Sequence, residues 1–404
     1  RGGLGRAQGR EGKQNGKQKF AHEIQPKPGR LDLNHCRQLP FNEAGGSFRH
    51  LRRKFLPSFP SSQLLMDSYK VKAYGASNSI FNGLSEMEIE RHAPKADEVH
   101  IEILYAGVCH SDVHQVKNDW HNTIYPCVPG HEIIGRVKEA GSAVTKFRVG
   151  DIVGVGCMID SCGQCEPCRH HEENYCEGPV SWTATYNGYM KPQNQDFNTF
   201  GGYSTDIVVK ESFVLSIPKS LDVKAAAPIL CAGVTTYAPL KYWNVGPGSS
   251  VAVVGIGGLG HMAVQLARAL GARVTAITRD AEKRAAAEAL GAHEVLISSD
   301  SAAMKEHELQ YDFILITIPD AFDLNDYVTL ARRNGVITTV GLLGPYKAPV
   351  NNMEVAMHRR SIAGSIIGEW NAPATSRRRT RRFGRRWTRR PPERLSLRPS
   401  TRGY

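Results

Sequence analysis

Hydrophobic and polar residues alternate over several short stretches in the first half of the chain. The clearest are residues 99–105, 147–155 and 203–217, which are separated by glycine- and proline-containing breaks. A period of two is typical of strands that bury one face, and such breaks are typical of turns. The pattern predicts a β-rich, barrel-like domain over residues 66–220.

From residue 221 the pattern changes to apolar runs that alternate with helical periods. Strands are predicted at residues 250–255, 273–278, 294–297, 313–318 and 335–340, and helices at residues 261–270 and 282–290. Short apolar runs that alternate with helices indicate a parallel sheet covered on both faces. Residues 221–368 are therefore predicted to form a doubly wound α/β domain.

The two ends of the chain show neither period. Residues 1–65 are rich in Gly, Lys, Arg, Gln and Pro, and residues 369–404 consist largely of Arg, Pro, Ser and Thr. Such compositions bury too little apolar surface to fold. We expect residues 1–65 to be a disordered or non-native basic extension and residues 369–404 to be an aberrant or disordered Arg-rich tail.

The formal net charge of +12 belongs to these two ends. Residues 1–65 carry 13 Lys and Arg against 4 acidic residues, and residues 369–404 carry 12 Arg against 2, which leaves −7 for the part between them. An Arg-rich tail can bind phosphate or anionic lipid. A mildly acidic body, however, argues against nucleic acid as its partner. No apolar run approaches the roughly 20 residues of a membrane span, so no membrane partner is expected.

One stretch, residues 109–132, carries much of the candidate chemistry. It reads CHSDVHQVKNDWHNTIYPCVPGHE, and Gly130 allows a tight turn that presents His131. Cys109 and His131 are ligand types that zinc prefers, and Cys231 follows at the start of a helix-like run. Three protein ligands with a fourth position left open are typical of a catalytic zinc. A coincidental Cys and His pair is the alternative.

A second cysteine group reads SCGQCEPCRHHEENYC and contains Cys162, Cys165, Cys168 and Cys176. Four thiolates on one short loop can close a tetrahedral shell around a structural zinc. An iron–sulfur cluster is the alternative, but the ferredoxin pattern has a shorter last gap and ends in Cys-Pro. The nine cysteines are too unevenly grouped for a disulfide framework, so we expect a reducing, cytoplasmic setting.

A glycine-rich turn follows the strand predicted at residues 250–255. The sequence VAVVGIGGLG is a strand that runs into G-x-G-x-x-G and then a helix. Gly255 permits the tight turn, Gly257 lets a pyrophosphate approach the backbone, and Gly260 allows close packing of helix on strand. Gly258 and Leu259 lie at the helix N-terminus, where free N–H groups bind phosphates. The pattern predicts a dinucleotide site.

The end of the next strand indicates which dinucleotide is used. An NAD site has Asp or Glu about 20 residues after the glycines. This chain has Thr278 and Arg279 there, with Lys283 nearby. These residues favour the 2′-phosphate of NADP. Asp280, displaced by one or two positions, keeps NAD as the alternative.

Together these motifs resemble the zinc-dependent medium-chain dehydrogenase/reductases, in the cinnamyl-alcohol-dehydrogenase branch with its bacterial NADPH-dependent aldehyde reductases. The resemblance covers residues 66–368 and includes GVCHSDVHQVKNDW, YPCVPGHEIIGRV, TFGGYS, ILCAGVTTY, VGIGGLGHM and the four-cysteine loop. It implies an α/β protein with a GroES-like catalytic domain and a Rossmann domain. It also implies two Zn²⁺ per chain and NADP(H).

The resemblance further implies residue roles. Ser111 corresponds to the hydroxyl that exchanges a proton with the alcohol, and His114 to its relay partner towards solvent. Asp112 corresponds to a carboxylate that orients a zinc ligand from behind. Glu132 corresponds to a carboxylate that approaches the metal when water leaves. Trp120 is similar to a wall of the substrate pocket, with a core position as the alternative.

The implied reaction interconverts aldehydes and primary alcohols, mainly as aldehyde reduction. The alternatives are an NAD-dependent dehydrogenase of small alcohols or polyols, and an inactive, truncated member that binds zinc, or nucleic acid through its tail. Members of the family continue beyond the strand that residues 362–367 resemble, whereas this chain becomes Arg-rich after Gly368. We therefore expect the C-terminal part of the fold to be missing. The same strand implies a homodimer that pairs through the Rossmann edge.

Overall fold

The computed structural model describes residues 68–80, 83–191, 197–341 and 345–368, so the expectations for residues 1–65 and 369–404 lie outside it. The first half of the described chain is mainly strands. These are β1 (Ser68–Gly75), β2 (Ser85–His92), β3 (Glu98–Ala106), β4 (Ile133–Ala140), β5 (Ile152–Val155), β6 (Met158–Asp160), β7 (Thr183–Ala184), β8 (Asp206–Lys210) and β9 (Leu215–Ser216). The helices there are α1 (His110–Lys117) and α2 (Glu166–Arg169), with 3-10 turns at Glu173–Tyr175 and Glu211–Phe213.

The second half alternates strands and helices. The strands are β10 (Ser250–Val254), β11 (Arg273–Thr278), β12 (Glu294–Ile297), β13 (Tyr311–Ile316), β14 (Ala331–Thr339) and β15 (Ser361–Gly364). The α-helices are α3 (Val223–Ala226), α4 (Ala232–Tyr242), α5 (Gly258–Ala269), α6 (Arg284–Ala289), α7 (Ser301–Glu306), α8 (Asn325–Val328) and α9 (Asn352–Met357). Within the described ranges no single helix is long and apolar enough to cross a bilayer. Among the described helices, one pair bent by 54°, Val223–Leu230 and Ala232–Tyr242, is long and apolar enough when both are taken together.

A five-stranded antiparallel sheet, in the order β8-β3-β4-β5-β9, forms the centre of the first half. β1 and β2 form a separate antiparallel pair, as do β6 and β7. Apolar residues of β3, β4 and β5 such as Val99, Ile133 and Val153 are buried in one core. The β-rich character predicted from the alternating pattern is confirmed.

A six-stranded parallel sheet, in the order β12-β11-β10-β13-β14-β15, forms the second half. This is the strand order 3-2-1-4-5-6 of dinucleotide-binding folds. Val251 and Val253 of β10 pack into the core on one face, and Ala252 and Val254 pack into the core on the other. Both faces are covered, which is why these strands have continuous rather than alternating apolar runs.

Several predicted bounds differ from the observed ones; for example, β14 begins at Ala331 and not at residue 335. The helix predicted at residues 282–290 starts as a 3-10 turn, Ala281–Lys283, and α6 begins only at Arg284. The strand at residues 362–367 ends at Gly364, and Ile367 has a φ of 53°. The apolar run at residues 362–367 indicates burial, but it does not show that Ile367 enters the core of the β-rich half.

The segment after β15 contacts the first half of the chain. Asn174 donates a hydrogen bond from Nδ2 to the carbonyl oxygen of Ile366 over 2.8 Å. Ile367 is 6% exposed and packs in the core of the β-rich half. A side chain at Gly368 would meet Val234 Cγ2 at 2.8 Å, so the chain passes closely over α4. These contacts fix the parallel sheet against the β-rich half.

The close approach of α5 to β10 yields a stability prediction. A Cβ at Gly260 would lie 2.0 Å from the carbonyl oxygen of Gly255, whereas a Cβ at Gly258 would meet nothing within 4 Å. We expect Gly260→Ala to lower the free energy of unfolding by about 1–3 kcal/mol, because the helix must move away from the strand. Gly258→Ala is the matched control and leaves stability unchanged or slightly higher. Thermal unfolding of the cofactor-free protein measures both, and equal stabilities of the two variants would contradict the prediction.

Candidate active site

The three residues predicted as ligands of a catalytic zinc come together in the structure. Cys109 directly precedes α1, His131 lies just before β4, and Cys231 directly precedes α4. The Sγ atom of Cys231 lies 4.0 Å from Sγ of Cys109 and 3.2 Å from Nε2 of His131. With a carboxylate oxygen of Glu132, these ligand atoms all lie within 4.8 Å of one another, and all four residues are buried. Two thiols and an imidazole are a donor set that fits Zn²⁺.

The turn before β4 requires glycine and aims His131 and Glu132 inwards. Gly130 has a φ of +100°, and a Cβ there would meet Tyr203 N at 2.8 Å. The backbone N–H of Gly202 donates to the carbonyl oxygen of Gly130 over 2.8 Å, which clasps the turn from the other side. The backbone thus fixes the direction of the two side chains that follow.

Asp112 organises the donors from behind. Its Oδ1 lies 2.9 Å from Nδ1 of His131 and accepts from Gly130 N over 3.0 Å. Its Oδ2 accepts from Cys109 N and from the hydroxyl of Tyr203, both over 3.0 Å. Burial acts to raise the pKa of Asp112, but the charge of His131 and these hydrogen bonds outweigh it and lower the pKa. An ionised Asp112 on Nδ1 leaves Nε2 of His131 to face the two cysteines.

The cluster brings an excess of acidic groups into the interior. Burial first, and then the neighbouring Cys109, raises the pKa of Glu132 to about 8. Cys109, Cys231, Asp112 and Glu132 surround one imidazole, that of His131. If the thiols and the Glu132 carboxyl ionise, their buried negative charges need a counter-charge. A divalent cation between the thiols and the imidazole would supply it.

α1 carries the residues implied in proton transfer. Ser111 and His114 are three residues apart, so they share one face of the helix. Nδ1 of His114 lies 2.7 Å from Oδ2 of Asp119, and its Nε2 is buried without a hydrogen-bond partner among the described residues. The ring of Trp120 lies 5.7 Å from that of His114. His114 and Trp120, which were predicted separately, therefore lie side by side.

Asp119 is a residue that the sequence analysis missed. α1 is followed by Asn118, which adopts a left-handed conformation with φ 60°. The backbone N–H of Asp119 then donates to the carbonyl oxygen of His114 over 3.0 Å, which brings their side chains together. Asparagine is common at this position of a helix end. The signal was therefore present in the pair Asn118-Asp119. Tyr203 was missed for a different reason, since it lies 91 residues from Asp112.

The four-cysteine loop also folds around one point. The ligand atoms of Cys162, Cys165, Cys168 and Cys176 all lie within 4.8 Å of one another. Backbone N–H groups donate to these sulfurs, for example Cys165 N to Cys162 Sγ over 3.3 Å. Gly163, with a φ of +68°, makes the turn between the first two cysteines possible. A closed set of four thiols fits a structural Zn²⁺.

The glycine-rich turn after β10 leaves space where a dinucleotide would lie. Gly255 has a φ of +89°, which an L-residue rarely adopts. Gly257 and Gly258 face open space at the N-terminus of α5, where backbone N–H groups are free to bind phosphate. Leu259 packs against the core and anchors the helix start. The turn therefore fits a pyrophosphate.

At the end of β11, two cations and one carboxylate form a group on the surface. Asp280 lies 3.7 Å from Nε of Arg279 and 3.3 Å from Nζ of Lys283. The side chain of Arg279 is 88% exposed. Thr278 is buried, and its hydroxyl accepts from Asp280 N over 3.3 Å, so it orders the turn. The positive charges exceed the negative charge by one, which suits a phosphate better than a ribose hydroxyl.

A cavity of about 500 Å³ opens beyond the carboxyl ends of β13, β14 and β15. Its lining includes Ile318, Phe322, Thr339, Tyr346 and Ile366. Ligands of doubly wound sheets bind beyond the carboxyl ends of the strands, at the point where the strand order reverses. Here that point lies between β10 and β13, next to the glycine-rich turn.

A Rossmann sheet beside a buried Cys–His–Cys cluster defines a zinc-binding oxidoreductase of the two-domain dehydrogenase class. Residues 95–219 match the family model for the alcohol dehydrogenase GroES-like domain, and residues 258–380 match that for zinc-binding dehydrogenase. Aldehyde reductase YahK of Escherichia coli (strain K12) is 50% identical over 301 residues, which are 74% of this chain and 84% of that protein.

Solved structures agree with these matches. A cinnamyl alcohol dehydrogenase of Sorghum bicolor, SbCAD4, has a TM-score of 0.70 and 38% identity, covering 74% of this chain and 84% of its own. The CAD of Helicobacter pylori complexed with NADP(H) has a TM-score of 0.68 and 39% identity, and the match covers 75% of this chain and 85% of that one. The chain belongs to the zinc-type alcohol dehydrogenase family, and its predicted fold, a GroES-like domain with a Rossmann domain, is confirmed.

Proposed function

We propose that this chain is a zinc-dependent, NADP(H)-dependent oxidoreductase that mainly reduces aldehydes to primary alcohols. The observation that carries the proposal is the buried cluster of Cys109, His131 and Cys231 with Glu132 beside it. Aldehyde reductase and cinnamyl alcohol dehydrogenase are the names of similar proteins. We propose the domain division at residues 66–220 and 221–368 with it.

The metal would be held by Cys109, His131 and Cys231. When bound, Zn²⁺ supplies a Lewis acid that polarises the substrate oxygen. The protein residues keep this position ready: Asp112 fixes the ring of His131, and Glu132 remains close enough to approach when a water leaves. The buried surroundings exclude other water, which strengthens each electrostatic contact.

A proton path leads from the cluster to the surface along α1. Ser111 exchanges a proton with the oxygen of the alcohol, and His114 accepts or returns it. Asp119 holds Nδ1 of His114 over 2.7 Å, so that Nε2 is the atom that faces the path. Asp119 is 43% exposed and His114 only 13%, which places the pair between the interior and solvent.

The dinucleotide would lie on Gly255, Gly257, Gly258 and Gly260, and NADPH supplies a hydride when bound. Arg279 and Lys283 would hold its 2′-phosphate, with Thr278 ordering the turn. A similar structure, the CAD of Helicobacter pylori, is complexed with NADP(H). Trp120, next to His114, would form part of the substrate pocket wall.

Two further proposals concern the whole molecule. All eight described cysteines are free, and six lie in the two clusters, which must stay reduced to bind metal. We therefore propose a reducing, cytoplasmic location. β15 is an edge strand whose Ile362 is 38% exposed, and such edges pair with a second copy. We propose a homodimer formed there.

Activity is tested by NADPH oxidation with a panel of aromatic enals and aliphatic aldehydes. We expect turnover, and we expect Ser111→Ala to lower kcat about a hundredfold, because proton transfer contributes at least that much. Ser216→Ala, an exposed serine on β9, is the control and keeps the wild-type rate. Bound zinc without turnover would favour the alternative of an inactive, truncated family member. Salt-sensitive binding of nucleic acid by the tail would then support the nucleic-acid alternative.

Zinc content tests the two metal sites separately. We expect two Zn²⁺ per wild-type chain and one in either Cys231→Ser or Cys176→Ser, because each substitution opens one cluster. Cys127→Ser is the control: Cys127 is 2% exposed and belongs to neither cluster. Metal analysis of protein purified without chelators measures the content. A wild-type chain without zinc, or an equal loss in Cys127→Ser, would contradict the assignment.

Cofactor choice is tested at Arg279. We expect Arg279→Ala to lower kcat/KM for NADPH about tenfold, mainly through KM, because a charge-assisted hydrogen bond contributes about 1.5–3 kcal/mol and this side chain is exposed. We expect kcat/KM for NADH to be the same in Arg279→Ala as in the wild type. Asp280→Ser should raise the preference for NADPH, since it removes a negative charge from the phosphate position. Arg268→Ala, on the last turn of α5, is the control. Wild-type preference for NADH would favour the NAD-dependent alternative.

A further inference from the structure

Tyr203 contacts the proposed zinc site through one intermediate residue. Its hydroxyl donates to Oδ2 of Asp112 over 3.0 Å, and Oδ1 of the same carboxylate lies 2.9 Å from Nδ1 of His131. Tyr203 is outside the cluster of ligand atoms itself. A group at this position can affect the metal only by holding Asp112 in place.

The Asp112 carboxylate has two donors on each oxygen. Oδ1 faces His131 and Gly130 N, and Oδ2 accepts from Cys109 N and Tyr203. Three of these donors belong to the ligands or to the turn that carries one of them. The fourth, from Tyr203, comes from another segment of the chain. Without it, Oδ2 would keep one donor, and the carboxylate could rotate away from His131.

The backbone holds Tyr203 firmly enough to act as a reference point. Its N–H donates to the carbonyl oxygen of Pro129 over 3.0 Å, and its own carbonyl oxygen accepts from Tyr74 N over 2.7 Å. Gly202 N bonds to the carbonyl oxygen of Gly130 over 2.8 Å, so the same segment clasps the turn before His131. The ring packs beside a small core that includes Val71 and Val128. A hydroxyl on so fixed a ring has a defined direction.

We propose that Tyr203 is a positioning residue of the metal site, which sets the orientation of His131 through Asp112. This inference rests on the proposed zinc site. Partners of metal ligands typically change metal affinity 10–100-fold when they are removed. Because Tyr203 is one hydrogen bond further away, we expect an effect near the lower end of that range.

The test compares Tyr203→Phe with Tyr125→Phe in the full chain. Tyr203→Phe keeps the ring and removes only the hydroxyl. Tyr125 is the matched control. Its hydroxyl also donates a partly buried hydrogen bond in the same half of the molecule, to the carbonyl oxygen of Val116 over 2.7 Å, but this bond does not involve Asp112. Each protein is produced with Co²⁺ in place of zinc. The spectrum of Cys231→Ser, which keeps only the four-cysteine site, is subtracted to isolate the proposed catalytic site.

We expect Tyr203→Phe to bind Co²⁺ at that site about tenfold more weakly and with shifted absorption bands, while its thermal unfolding matches that of Tyr125→Phe. Tyr125→Phe should keep the wild-type affinity and spectrum. Wild-type affinity and an unchanged spectrum in Tyr203→Phe would overturn the inference. A wild-type chain that binds no metal at this site would instead contradict the proposed function.

A double-mutant cycle with Asp112→Asn separates a path through Asp112 from a general loss of packing. If Tyr203 acts through Asp112, adding Tyr203→Phe to Asp112→Asn should change the Co²⁺ affinity less than about twofold, because the bond is already altered. If Tyr203→Phe instead weakens Co²⁺ binding by the same factor with and without Asp112→Asn, the two substitutions act independently. Tyr203 would then act by another route, and this result would overturn the inference even if Tyr203→Phe alone lost affinity.

Discussion

The burial of acidic donors around a single imidazole is the constraint on which this structure depends. Cys109, Cys231, Glu132 and Asp112 all lie in the interior, with His131 between them. Carboxylates and thiolates are costly to bury without a compensating charge. The start of α1, the turn at Gly130 and the start of α4 bring these donors together, at the position where the proposed cation would compensate their charge.

α4 joins this constraint to the dinucleotide fold. Cys231 directly precedes the helix and belongs to the metal cluster. Val234 packs against the core of the β-rich half, whereas Tyr237 and Leu240 pack against the core of the parallel sheet. One short helix thus contacts the metal site and both cores. A movement of the parallel sheet relative to the β-rich half would have to move a metal ligand or repack this helix.

Electrostatics separates the two ends of the proposed cofactor site. At the glycine-rich turn, affinity for phosphate comes from backbone N–H groups at the start of α5, so no charged side chain is required. At the end of β11, the exposed Arg279 and Lys283 share one carboxylate, that of Asp280. The glycine-rich turn would therefore bind the pyrophosphate of any dinucleotide about equally well. The group at the end of β11 can discriminate between cofactors, and its discrimination is weakened by its own aspartate.

The sequence by itself determined the features that are local along the chain. β11 and β12 have the bounds predicted from periodicity, because strand patterns depend on neighbouring residues. Both cysteine groups and the glycine-rich turn were recognisable from spacing. Only the tertiary structure decided that Tyr203 bonds to Asp112 and that Ile367 leaves the sheet for the other core. The physical reason is that period and spacing record burial and turns, whereas the partner of a distant side chain depends on how the elements pack.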